Sequence, residues 1–190
     1  TSGGFGFTFW FQHGGWDSVS SRPTLTTEPA VSFGVEQIDG GATWLVEQNV
    51  TGSYQTDSVA RLRLSVENSG LAITNQQFDL EYAPLGISPS CESVSTGDYT
   101  TVPVDASCGT SPVCMATSSF VTNGASTVDL LTSVNGEFTL GEAREDPSNT
   151  TGNLDIDQDE YTELEYVLTP TSNQIDQNLC FRVTDSGTEL

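Results

Sequence analysis

The sequence predicts an all-β protein: a two-sheet β-sandwich preceded by a separate N-terminal strand. Period-two alternation of apolar residues recurs along the chain, Gly, Pro, Asn, Asp and Ser interrupt it every few residues, and sustained helical periodicity is missing. Taken in order, the first element is FGFTFWF at 5–11, in which an extended backbone lines Phe5, Phe7, Phe9 and Phe11 along one face. Residues 13–30, HGGWDSVSSRPTLTTEPA, have the Gly, Ser, Thr and Pro content of a linker and no periodic pattern. The predicted boundaries are therefore a strand at 1–12, a linker at 13–30 and a sandwich at 31–190.

Within the sandwich the expected strands are VSFGVEQI (31–38), ATWLVEQ (42–48), VARLRLSVEN (59–68), QFDLEYA (77–83), DYTTVPV (98–104), CMATSSFV (114–121), STVDLLTSV (126–134), EFTLGEA (137–143), YTELEYVLT (161–169) and LCFRVT (179–184). In VARLRLSVEN, Leu62, Leu64 and Val66 alternate with Arg61, Arg63 and Ser65, the half-buried pattern of an antiparallel sheet with one wet face. YTELEYVLT alternates in the same way.

Charge narrows the partners. The chain has 26 acidic residues against five basic ones, a formal charge of -21, and the basic residues are all arginine. Nucleic acid and anionic membranes need cationic patches, so both are excluded as partners. No apolar run is long enough to span a bilayer, and no charged-then-apolar leader stands at Thr1, which reads as a mature secreted chain. Cys91, Cys108, Cys114 and Cys180 form an even set without paired metal-site spacing, so disulfides in an oxidising compartment are expected. Of the three pairings open to four cysteines, Cys108–Cys114 and Cys91–Cys180 are favoured. The sequons at Asn49 and Asn149 are candidate N-glycan acceptors.

Catalytic patterns are sparse, and the chain reads as a non-enzyme. His13, the one histidine, lies in the linker, and no GxSxG nucleophile turn or GxxxxGK phosphate loop occurs. No cofactor is required by any motif. The best cation candidate is NLDIDQDEY, where Asp155, Asp157 and Asp159 alternate and surplus carboxylate oxygen suits calcium. A helical-hand loop would want Gly and Glu where Glu160 and Tyr166 stand, so only a strand or turn site fits. Trp10, Trp16 and Trp44 are the residues a carbohydrate-stacking surface would use, although core or interface packing is the favoured reading for them.

The ordered segments DGGATWLVEQN, SVARLRLSVENSG, QFDLEYAP, Cys91, DEYTELEYVLTPTSN and LCFRVTDSG resemble a family of largely uncharacterised secreted bacterial β-sandwich proteins over about residues 31–190. The resemblance implies an immunoglobulin-like sandwich outside the cell and offers no catalytic residues. Against that family, residues 1–30 look like an addition and the chain stops soon after LCFRVT. An added front strand and a missing back strand resemble, in architecture, donor-strand filaments, where one subunit's N-terminal extension completes the sheet of the next. The expectation is an extracellular, pilus-like structural filament subunit. It polymerises head to tail with identical copies through Phe5, Phe7, Phe9, Trp10 and Phe11. The rival expectation is a monomeric cell-surface adhesin or carbohydrate-binding module.

Overall fold

The structure, a computed structural model, describes residues 5–7, 24–25, 30–33, 52–54, 59–131, 136–172, 178–185 and 188–189, with side chains placed over 59–131, 136–172 and 178–185 except at Glu92. Its strands in chain order are β1 (Phe5–Phe7), β2 (Thr24–Leu25), β3 (Ala30–Phe33), β4 (Gly52–Tyr54), β5 (Ala60–Asn68), β6 (Ile73–Gln76), β7 (Phe78–Pro84), β8 (Thr100–Thr101) and β9 (Val113–Met115). They continue as β10 (Glu137–Thr139), β11 (Ala143–Arg144), β12 (Leu154–Ile156), β13 (Glu160–Pro170), β14 (Asn178–Asp185) and β15 (Thr188–Glu189). Among the described residues the only helical turns are three single 3-10 turns, so the all-β expectation holds.

The longest strand, β13, organises one sheet. It pairs antiparallel with β5 from Glu160↔Asn68 to Leu168↔Ala60. Its opposite edge takes three short strands in succession: β10 and β11 run parallel to it, and β9 antiparallel. Between β10 and β11 the chain passes so close that a Cβ on Gly141 would collide with the Glu163 carbonyl oxygen, which is why glycine stands there. On the far side β5 pairs with β2 and β3. Thr24–Leu25 and Ala30 thus sit in this sheet although their composition is that of a linker.

The other sheet is built on β14, which pairs antiparallel with β7 from Leu179↔Pro84 to Asp185↔Phe78. Strands β8 and β15 extend it, and β1 and β4 complete the order β4-β1-β14-β7-β8. A third, two-stranded piece joins β12 to β6. Alternation along the strands sends Leu62, Leu64, Val66, Leu164, Tyr166 and Leu168 of one sheet into the same core as Phe78, Leu80, Leu179, Phe181 and Val183 of the other. Two sheets facing one apolar core make a sandwich-like arrangement.

Two expected strands are much shorter than predicted: only Thr100–Thr101 of 98–104 and Val113–Met115 at the start of 114–121 form ladders. STVDLL is not a strand beyond a bridge at Ser126↔Glu142. At its end a side chain takes the place of a ladder, as Leu130 and Leu131 donate their N–H groups to Glu163 Oε1 at 3.0 and 2.7 Å. ATWLVEQ lies outside the described residues.

Candidate functional site

The edge of β14 is where the N-terminal strand meets the fold. Phe5–Phe7 runs parallel to β14, with Gly6 beside Asn178 and Phe7 beside Leu179, and antiparallel to β4, with Phe5 beside Tyr54. The strand therefore occupies a slot in the chain's own sheet. Leu179 belongs to the buried core cluster. Phe9, Trp10, Phe11, His13, Trp16, Trp44 and Asn49 lie outside the described residues.

That edge is anchored from behind. Cys180 of β14 is bonded to Cys91, with Cα atoms 5.5 Å apart. Around the bridge, Ala83, Val94 and Tyr99 pack into a small second core on the outer face of the sheet. Arg182 lies under the same cover: its guanidinium stands 4.2 Å over the Tyr99 ring, and Nε donates to Glu81 at 2.8 Å. Cys108 and Cys114 form the second disulfide, so the favoured pairing is the one present. Two disulfides fit an oxidising, extracellular type of environment. No helix of the described residues is long and apolar enough to cross a membrane.

The outer face of the β5–β13 pair holds the feature that alternation does not reveal. Arg61 donates to Glu165 at 2.8 Å, and Arg63 reaches both Glu165 at 2.7 Å and Glu163 at 2.8 Å. All four side chains are buried, with Arg63 and Glu163 at 0% exposure. Arg63 and Glu163 are met by the 127–131 segment, its Val128 carbonyl accepting from Arg63 and its Thr127 hydroxyl donating to the Glu163 carbonyl. Burial pushes the Glu163 carboxyl up, opposed by Arg63 and the Leu130 and Leu131 amides. Beside it, Tyr161 donates to Asp129, and burial together with that hydrogen bond pushes its phenol up to about 12.

The predicted cation and glycan residues have other occupations. Asp155 Oδ1 accepts from the Asn75 amide at 2.8 Å, and Asp157 uses its backbone N–H on Glu160 and its carbonyl on Asn68. Asp159 takes a positive φ of 61° in the turn before β13. Among the described residues no three His, Cys, Asp or Glu side chains group closely enough to hold a metal ion. Asn149 packs against β7. It is buried, its Nδ2 donates to the carbonyls of Leu80 and Val102, and its Oδ1 accepts from the Leu80 N–H. Thr151 of the same sequon accepts from the Phe78 N–H. The N-T-T triplet thus docks along β7 through its side-chain amide and hydroxyl.

The buried arginines were the feature least visible in the sequence. The available signal was their position inside alternating strands of a chain with so few cations. Comparison with protein families, with curated proteins and with solved structures gives no match to this chain.

Proposed function

We propose that the chain is the structural subunit of an extracellular filament, in which the N-terminal strand of one copy fills the slot beside β14 of the next. The observation that carries this reading is the parallel seat of Phe5–Phe7 between β14 and β4. A slot that accepts this strand within one chain accepts the identical strand from another, since the contacts are the same in both cases. The 8–23 segment between β1 and β2 would reach roughly 50 Å when extended, enough for the exchange. Laid in the same register, a neighbour's strand brings Phe9 alongside Phe181 and Phe11 alongside Val183, both core-facing. Four buried rings would contribute on the order of 6–12 kcal/mol before ordering costs. Insertion of this kind is head to tail, so growth is open-ended.

The same seat favours a second reading, a closed monomer acting as a cell-surface adhesin or carbohydrate-binding module. One double variant, Gly6→Cys with Asn178→Cys, separates the two. Under oxidising conditions the filament reading expects a covalent ladder of multimers on a non-reducing gel, and fibres by electron microscopy that vanish when residues 1–12 are deleted. A single cross-linked monomer band with no fibres would establish the closed form instead.

A further inference from the structure

Each arginine that the structure describes is enclosed and matched to a glutamate: Arg61 and Arg63 to Glu163 and Glu165, Arg144 to Glu142, and Arg182 to Glu81. Their exposures are 2%, 0%, 9% and 5% respectively. The chain has no lysine. Setting those four glutamates aside from the 26 acidic residues leaves 22, with Arg22 as the one remaining arginine. Among the described residues, the exposed charged side chains are all carboxylates, including Asp98, Asp105, Asp129, Glu137, Asp155, Asp157 and Asp159. An ordinary surface intersperses both signs, so each carboxylate has cationic neighbours that offset its repulsions. Here the cations have been withdrawn into the interior. Over the described surface, mobile ions in the solvent are what remains to offset it.

We infer that the folded chain depends on concentrated small cations as the partner of its surface, and loses stability as salt is diluted. Mutual repulsion of surface carboxylates acts over about 10 Å at 0.1 M salt and only about 3 Å at 1 M. Unfolding spreads the same charges apart, so dilution favours the unfolded chain. The raised Glu67 carboxyl, pushed up by burial and then by Asp159, reports the same crowding locally. The inference concerns a single chain and does not rest on the filament reading.

The test is thermal unfolding of the full chain, followed by circular dichroism, in 0.1 M and 3 M KCl. The expected result is a midpoint higher by about 10 °C or more in 3 M KCl. A variant carrying Asp98→Lys, Asp105→Lys, Glu137→Lys and Asp157→Lys restores exposed cations and is expected to lose at least about half of that difference. Should that variant not fold, MgCl2 at tens of millimolar supplies the second measurement. Divalent counterions are expected to replace molar KCl, because screening depends on valence whereas salting-out of apolar surface needs molar salt. A wild-type midpoint that moves by less than about 3 °C overturns the inference. So does an undiminished salt response in the lysine variant, or no response to magnesium.

Discussion

The two sheets cover their outer faces in different ways. Outside the β14–β7 pair, the 91–99 segment is fastened covalently by Cys91–Cys180 and lies on a small apolar cluster, with the Arg182–Glu81 pair beneath it. Outside the β5–β13 pair, the 127–131 segment is held by charge: Arg63 and Glu163 present a donor and an acceptor directly to its backbone. A disulfide holds its segment whatever the side chains around it, mainly by restricting the unfolded chain. The ionic fastening works only while every member is present, since each charge is dry. Such a buried network adds little net stability, yet removing one partner strands the others.

The largest expected effect is therefore on the ionic side. Arg63→Met keeps most of the side-chain volume but leaves Glu163 and Glu165 with fewer partners and the Val128 carbonyl without its donor. We expect a loss of about 3–5 kcal/mol in denaturant unfolding. Replacing all four charged residues by apolar ones is not expected to be neutral here, because the Leu130 and Leu131 amides would be left unsatisfied at about 1–3 kcal/mol each. If Arg63→Met costs under about 1 kcal/mol, the charged cluster is not what holds the cover.

The covalent side is expected to rank next. Cys91→Ser with Cys180→Ser removes a bridge across 89 residues, for which the loop-entropy relation gives about 4.6 kcal/mol and engineered cases commonly less. The Cys108–Cys114 bridge spans six residues, and the same relation gives only about 2.2 kcal/mol for it. Chemical unfolding of the two paired variants measures the contrast. Equal losses would mean that the bridges act through native contacts rather than through the unfolded chain.

How much of this was legible follows from the same two faces. Alternation in VARLRLSVEN and YTELEYVLT identified which side chains share a face, because period two is a property of the extended backbone itself. It could not identify whether the second face was wet, since that depends on a segment 60 residues away along the chain. The STVDLL segment shows the other half of the problem. Its β-branched and apolar residues match a strand, but its amides are satisfied by Glu163, so the strand pattern is present without a ladder. Asn149 shows a related effect. The residue types that form a sequon also mimic a strand edge through side-chain amide and hydroxyl, and Asn149 and Thr151 do so against β7. The disulfides were easier to read, because four cysteines in a chain of this composition leave few alternatives.

The smallest expected effect lies near the C-terminal end of β5, at its one half-buried position. Glu67 is half-buried beside the Asp159 turn, and its carboxyl is raised first by burial and second by that aspartate. A carboxyl whose folded pKa exceeds its unfolded value binds its proton more tightly when folded. It therefore favours the fold below about pH 4.5, and that contribution disappears as pH rises through the folded value. At neutral pH the ionised Glu67 is thus a liability, and Glu67→Gln should raise the melting midpoint by about 1–3 °C in low salt. The gain should fade below about pH 4.5, where wild-type Glu67 is itself neutral. It should also shrink in molar salt, where a partly exposed charge is screened. A gain that persists unchanged at pH 4 or in molar KCl would assign the effect to packing of the amide, and would separate this site from the crowded carboxylates of the surrounding surface.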